Sequence, residues 1–128
     1  MEQDNIVLCD TDVIIEFYRN NFDIISELKK LGQERIAVST ITAGELLYGA
    51  FNKRELNQIK KDLNNLFILD IDKKTCEIFL NIMEKYVLSH KLALPDGLIA
   101  ASAMAYDLEL YTLNNKDYRF INGLRLYK

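Results

Sequence analysis

The chain has 128 residues, 49% apolar and 27% charged, with a net charge of −3 and a single proline. This suits one folded domain over residues 1–128 with a single hydrophobic core, and it excludes a disordered chain. No overall basic footprint exists, so any contact with nucleic acid must come from local patches.

Two cysteines, Cys9 and Cys76, and one histidine, His90, form no disulfide framework and leave no Cys/His zinc site. Residues 1–5 lack the basic start and apolar core of a signal peptide, and no apolar run approaches the ~18 residues of a membrane span. A cytoplasmic, reduced, soluble protein is expected.

Ile6-Val7-Leu8-Cys9 is a short apolar run that suits a strand buried on both faces, and it leads straight into Asp10-Thr11-Asp12. A helix is expected over 13–19, broken by Asn20-Asn21. Phe22, Ile24, Ile25, Leu28 and Leu31 then recur at helical spacing up to Gly32, a C-terminal stop. Ile36-Ala37-Val38 reads as a second strand. A helix over 42–51 follows, and after Asn52-Lys53-Arg54 a more polar helix carries Leu56, Ile59, Leu63 and Leu66.

Residues 67–71 read as a third strand. A long helix over 73–90 places Cys76, Phe79, Leu80, Met83 and Val87 on one face. Leu94-Pro95-Asp96 opens another helix, over 97–106, dense in alanine and apolar residues. Residues 108–112 read as a fourth strand and 124–127 as a short fifth at an edge. Strands alternating with helices predict an α/β domain with a mainly parallel sheet of four to five strands and helices on both faces.

In such sheets, ligands gather outside the carboxyl ends of the strands. Asp10 and Asp12 would stand there, and two carboxylates repel unless a cation or proton joins them, which makes a divalent-metal site the first candidate. Helix capping by one aspartate is the plainer alternative. Glu45 lies in Thr42-Ala43-Gly44-Glu45, a capping-box pattern in which Thr42 caps and Glu45 reaches back. Asp96 follows Pro95 at a helix start, where proline and an acid are both favoured. Asp117 sits in Asn114-Asn115-Lys116-Asp117, ordinary turn chemistry after the fourth strand. Asp70 and Asp72 read as a strand exit and a helix cap, and His90 as a solvated helix end. Lys53, Arg54, Lys116 and Arg119 lie nearest the expected site edge.

Four blocks in order carry a resemblance over essentially the whole chain: residues 8–15, 39–49, 94–101 and 112–118. Together they resemble a PIN domain of the VapC type, the toxin ribonucleases of toxin–antitoxin pairs. The resemblance implies a PIN-like three-layer α/β/α sandwich. It implies a metal-binding active site of Asp10, Glu45, Asp96 and Asp117, supported by Asp12, Thr112 and Asn114. Tyr118 stands where phenylalanine is usual, Gly97 where alanine is common, and Cys9 where an aliphatic or small residue precedes the first acid. Asn122 replaces the proline of the family's Ile-Pro-Gly-Leu.

The implied activity is an endoribonuclease dependent on Mg²⁺ or Mn²⁺, hard ions that suit an all-carboxylate set. Asp10 and Asp96 would be primary ligands, Glu45 a ligand or water-orienting group, and Asp117 a ligand of a second or weaker site. Implied partners are an RNA substrate such as tRNA, a second copy in a homodimer, and a small VapB-type antitoxin. Phe17, Phe22 and Phe51 are available for either protein contact, with core packing their plainer fate. Three rivals stand beside this reading. A receiver-like phosphoacceptor domain would use Asp70 but leaves Glu45, Asp96 and Asp117 idle. A phosphatase of the haloacid-dehalogenase type shares the Asp-x-Asp start but needs a longer chain. A catalytically silent PIN-like binding module would have lost acids, and all four are present.

Overall fold

The computed structural model describes residues 6–128, so the signal-peptide reading of residues 1–5 lies outside the described residues. Alternation along the first strand sets the layers. In β1 (Val7–Cys9), Val7 and Cys9 join one buried cluster and Leu8 the other, because successive side chains leave a strand on opposite faces. β2 (Ile36–Ser39) repeats the pattern, with Ile36 and Val38 on the first side and Ala37 on the second. β3 (Phe67–Leu69) and β4 (Glu109–Tyr111) complete a parallel sheet in the order β3-β2-β1-β4.

Helices α1 (Thr11–Tyr18), α2 (Phe22–Leu31), α3 (Thr40–Tyr48) and α4 (Lys53–Leu63) cover the first face with Val13, Ile14, Ile24, Leu28, Leu46, Ile59 and Leu63. Helices α5 (Lys73–His90) and α6 (Leu94–Ala105) cover the second with Ile82, Ile99, Ala100, Ala101 and Ala103. The result is the expected α/β/α sandwich. None of its helices among the described residues is long and apolar enough to cross a membrane.

Local chemistry starts these helices. Asn21, Asn52 and Asp72 each accept a backbone N–H of the first turn, satisfying donors that the helix itself leaves unpaired. Asp72 thus fills the capping role read from the sequence. Gly32 ends α2 at φ +87°, a conformation that side-chain-bearing residues rarely adopt.

Some expectations shift. The long helix turns only part of the expected stripe inward, Phe79 and Met83. Ile82 and Thr75 are buried, with Ile78, Phe79, Met83 and Tyr86 packed beside them, while Cys76, Leu80 and Val87 face out. Phe22 and Phe51 are 79% and 91% exposed and Phe17 39%, so core packing is not their fate. The inward stripes of α1 and α2 run through Val13/Ile14 and Ile24/Leu28/Leu31 instead, and Phe51 lies beyond the end of α3. The fifth strand reduces to one parallel bridge between Leu110 and Leu126, because the turn at Gly123 brings only residues 125–127 alongside β4.

α5 and α6 approach closely at Gly97. A Cβ there would stand 2.7 Å from Met83 Sδ, so glycine rather than alanine fits this contact.

Candidate active site

The chain passes from β1 to β2 to β3 in one direction and then returns to place β4 on the other side of β1. This reversal makes a switch region at the carboxyl ends of β1 and β4, the position where open α/β sheets seat ligands. Asp10 stands in it. Its N–H donates to the Tyr111 carbonyl at 2.9 Å, fixing the residue to the end of β4.

The Asp10 side chain is only 6% exposed, and both its oxygens are engaged. Oδ1 accepts the Thr11 N–H at 2.8 Å, which caps α1, and Oδ2 accepts the Thr112 hydroxyl at 2.8 Å. Capping and a place among the acids therefore coincide. Burial pushes the Asp10 carboxyl above the ordinary aspartate range, and the charge of Glu45 pushes the same way. The donors of Thr112, Thr11 and Tyr118 pull it back.

Asp12 leans from the first turn of α1 towards the loop after β4. It accepts the Asn114 amide at 2.7 Å and the Leu113 N–H at 3.3 Å. Burial first, and then the charge of Asp10, raise its pKa to about 6. Thr112 and Asn114 thus act as the sequence suggested, each holding one of the two early carboxylates.

Glu45 differs from its expected local role. Ser39, not Thr42, caps α3: its hydroxyl accepts the Thr42 N–H at 3.1 Å, and the helix begins at Thr40. Glu45 is therefore past the capping turn, and its Oε1 accepts the Thr11 hydroxyl at 2.7 Å. Thr11 Oγ1 also lies 2.9 Å from Thr42 Oγ1, and the Ser39 hydroxyl donates to Thr42 at 3.3 Å. A hydroxyl carries one hydrogen. With the Thr11 hydrogen given to the carboxylate, Thr42 must donate to Thr11, and the chain runs Ser39 to Thr42 to Thr11 to Glu45.

Asp96 sits in the first turn of α6, half-buried, with Pro95 just before it. Its Oδ1 accepts the hydroxyl of Tyr118 at 3.2 Å. Burial raises its pKa, and the charges of Asp10, Asp117 and Glu45 raise it further. Asp10, Glu45 and Asp117 therefore lie within electrostatic reach of Asp96. Asp117 is exposed at the end of a short 3-10 turn, Asn115–Asp117. Among the described residues no three acids, cysteines or histidines stand close enough to make a ready coordination cage.

Two contributors were not legible as such. Thr11 joins the helix after β1 to Glu45, and nothing in Asp-Thr-Asp distinguishes it from a filler. Tyr118, 1% exposed, sends its hydroxyl to the acids although its ring belongs to the core. Its substitution for phenylalanine was the one available signal. The Asp70 carbonyl accepts the Tyr106 hydroxyl at 3.0 Å, and among the described residues no cluster of three metal-ligating side chains forms there.

Comparison with known proteins agrees with this geometry. The PIN domain family matches residues 7–122. The chain is 26% identical over 123 residues to the tRNA(fMet)-specific endonuclease VapC of Shigella flexneri, covering 92% of this chain and 93% of that protein. Among solved structures, the DNA-bound VapBC of Salmonella typhimurium superposes with a TM-score of 0.84 at 26% identity, covering 95% of this chain and 96% of the other. A toxin–antitoxin complex from Klebsiella pneumoniae gives 0.79 at 28% identity over 92% of this chain and 94% of the other. FitAcB of Neisseria gonorrhoeae gives 0.81 at 28% identity over 96% and 97%. With its family matched from the first strand to the turn before the last bridge, the chain belongs to the PIN domain family, and its likeness within that family is to VapC toxins.

Proposed function

We infer that this protein is a divalent-metal-dependent endoribonuclease and the toxin of a toxin–antitoxin pair, acting as one domain over its 128 residues. The observation that supports the reading is the buried Asp10 at the end of β1 with the half-buried Asp96 of α6, tied to Tyr118, close enough to feel its charge and those of Glu45 and Asp117. RNA as substrate, with tRNA the first to offer, rests on the likeness to the Shigella enzyme.

The donor set fits Mg²⁺ or Mn²⁺. It is all oxygen, and such ions are held by one or two carboxylates while keeping several waters, so a complete protein cage is not required. Asp10 and Asp96 are the primary ligands in this reading, with Glu45 beside them and Asp117 at the exposed rim. Both primary acids resist ionisation through burial and the charges of neighbouring carboxylates, a cost that a cation offsets. When bound, the ion supplies a nucleophilic hydroxide near neutral pH and stabilises charge on the scissile phosphate. The chain's own part is orientation. Thr112 and the Thr11 N–H hold Asp10, and the Ser39–Thr42–Thr11 hydroxyls hold Glu45.

A homodimer and a small antitoxin are proposed as its assembly. The solved complexes of its relatives support the second, and Phe22, Tyr48 and Phe51, all largely exposed, supply apolar surface for protein contact. The test is cleavage of small RNA with Mg²⁺, Mn²⁺ or EDTA, with Asp96→Asn beside the wild type. Discrete fragments that need metal and vanish in the variant are expected. Equal cleavage by both proteins, or cleavage in EDTA, overturns the reading.

A further inference from the structure

We propose that Tyr118 is a positioning residue for the metal site, its hydroxyl holding Asp96 in ligand pose beside Asp10 before a cation binds. The inference rests on the metal reading above and adds to it a residue outside the acid set. Its basis is the placement of one buried hydroxyl.

The Tyr118 ring packs in the core cluster of α5, α6 and β4, and a phenylalanine would fill that space equally well. The hydroxyl adds nothing apolar and must find a partner where water does not reach. It donates to Asp96 Oδ1 at 3.2 Å, and it also faces Asp10, whose carboxyl it favours in the charged form. Tyr118 thus bonds the acid of α6 and acts on the acid at the end of β1.

The other members of the set have their own anchors. Asp10 has Thr112 and the Thr11 N–H, Glu45 has the Thr11 hydroxyl, and Asp12 has Asn114. For Asp96 the anchor is Tyr118, and among the described residues no hydrogen bond reaches its Oδ2. One oxygen is tied back and the other left bare, which is the pose of a monodentate ligand. Removing the hydroxyl frees the carboxylate to rotate away from Asp10, whose charge repels it. Outer donors of this kind set ligand orientation, and their loss lowers metal affinity by about 10–100-fold.

The test is Mn²⁺ binding to the purified full chain, followed by electron paramagnetic resonance of the free ion, without any RNA. Tyr118→Phe is compared with wild type and with Ile121→Val, a packing change in the same cluster that leaves the hydroxyl in place. Thermal melts of each metal-free protein establish that the folded form is being titrated. The expected result is Mn²⁺ affinity about tenfold weaker in Tyr118→Phe and unchanged in Ile121→Val. Equal or tighter binding by Tyr118→Phe, with wild type binding normally, overturns the role of Tyr118 and leaves the metal reading standing. A weakening of the same size in Ile121→Val overturns it too, because packing alone would then account for the effect. Absence of Mn²⁺ binding by wild type overturns both readings.

Discussion

The Thr112 hydroxyl donates to Asp10 Oδ2 at 2.8 Å across 102 positions of sequence, joining the ends of the first and last strands at one buried carboxylate. Thr112→Val removes that donor and keeps the shape. A buried acceptor stripped of its partner costs about 1–3 kcal/mol, so the melting temperature should fall by several degrees. The same substitution removes an influence that lowers the Asp10 pKa, so the loss should be larger at pH 8 than at pH 5. Melts of both proteins at the two pH values check this, and a pH-independent difference would show that Asp10 is not the partner that matters.

Asp96→Asn should separate stability from activity. It removes one of several repelling charges while keeping an oxygen for the Tyr118 hydroxyl. The metal-free protein should melt at the same temperature as wild type or a few degrees higher. RNA cleavage should fall about a hundredfold or more. A clear drop in the metal-free midpoint would mean that the acids do not strain the fold.

Asp12 carries the pH dependence furthest towards neutrality. Its folded pKa of about 6 lies above its ordinary 3.8, so between those values the folded state holds a proton that the unfolded state releases. Its contribution to stability is full below about pH 4 and lost as pH rises through 6. In metal-free protein, the melting-temperature difference between Asp12→Asn and wild type should therefore widen in favour of the variant from pH 4.5 to pH 7.5. A constant difference across that range would place the Asp12 carboxyl in an ordinary solvated setting.

Ser39 has two tasks, and its loss should register twice. Ser39→Ala removes the α3 cap, costing about 1 kcal/mol, or about 3–4 °C in a domain of this size. It also takes the first donor from the hydroxyl chain that ends at Glu45. Urea unfolding measures the first effect. Mn²⁺ titration measures the second, and a modest fall in affinity is expected.

Much of this arrangement was legible from the residues. Apolar runs ending in Asp10 and in Ser39 gave the central strands, and the Asn-Asp punctuation gave most helix starts. For Glu45 the sequence left a capping role and a site role open, and the capping role fails because Ser39 begins the helix. The pattern Thr-x-x-Glu fits Thr42 as well as Ser39 fits the turn before it, and only the sheet decides where the backbone bends. On α5, Phe79 and Met83 pack as expected, and Cys76, Leu80 and Val87 were misplaced because they are as apolar as the residues that pack. Which of two apolar stripes turns inward depends on where α6 lies, as Met83 against Gly97 shows. For the Tyr118 hydroxyl the sequence offered only tyrosine in place of phenylalanine, since its partner is 22 positions away and its ring reads as core.

The pairing of β1 with β4 also governs when the switch region exists. Val7, Leu8 and Cys9 find their outer partners only in Glu109, Leu110 and Tyr111. During synthesis β1, β2 and β3 emerge together, and α1 to α4 have their face to pack on. Asp10 must wait for Thr112, and Asp96 for Tyr118. A chain halted just before residue 112 has most of its core residues and the hydroxyl chain that holds Glu45, but Asp10 lacks Thr112 and Asp96 lacks Tyr118. Assembly of the acids is thus among the last events of folding, and closing so long a loop makes it one of the slower ones. The proposed site therefore depends on residues spread over nearly the whole described chain, from Asp10 to Tyr118.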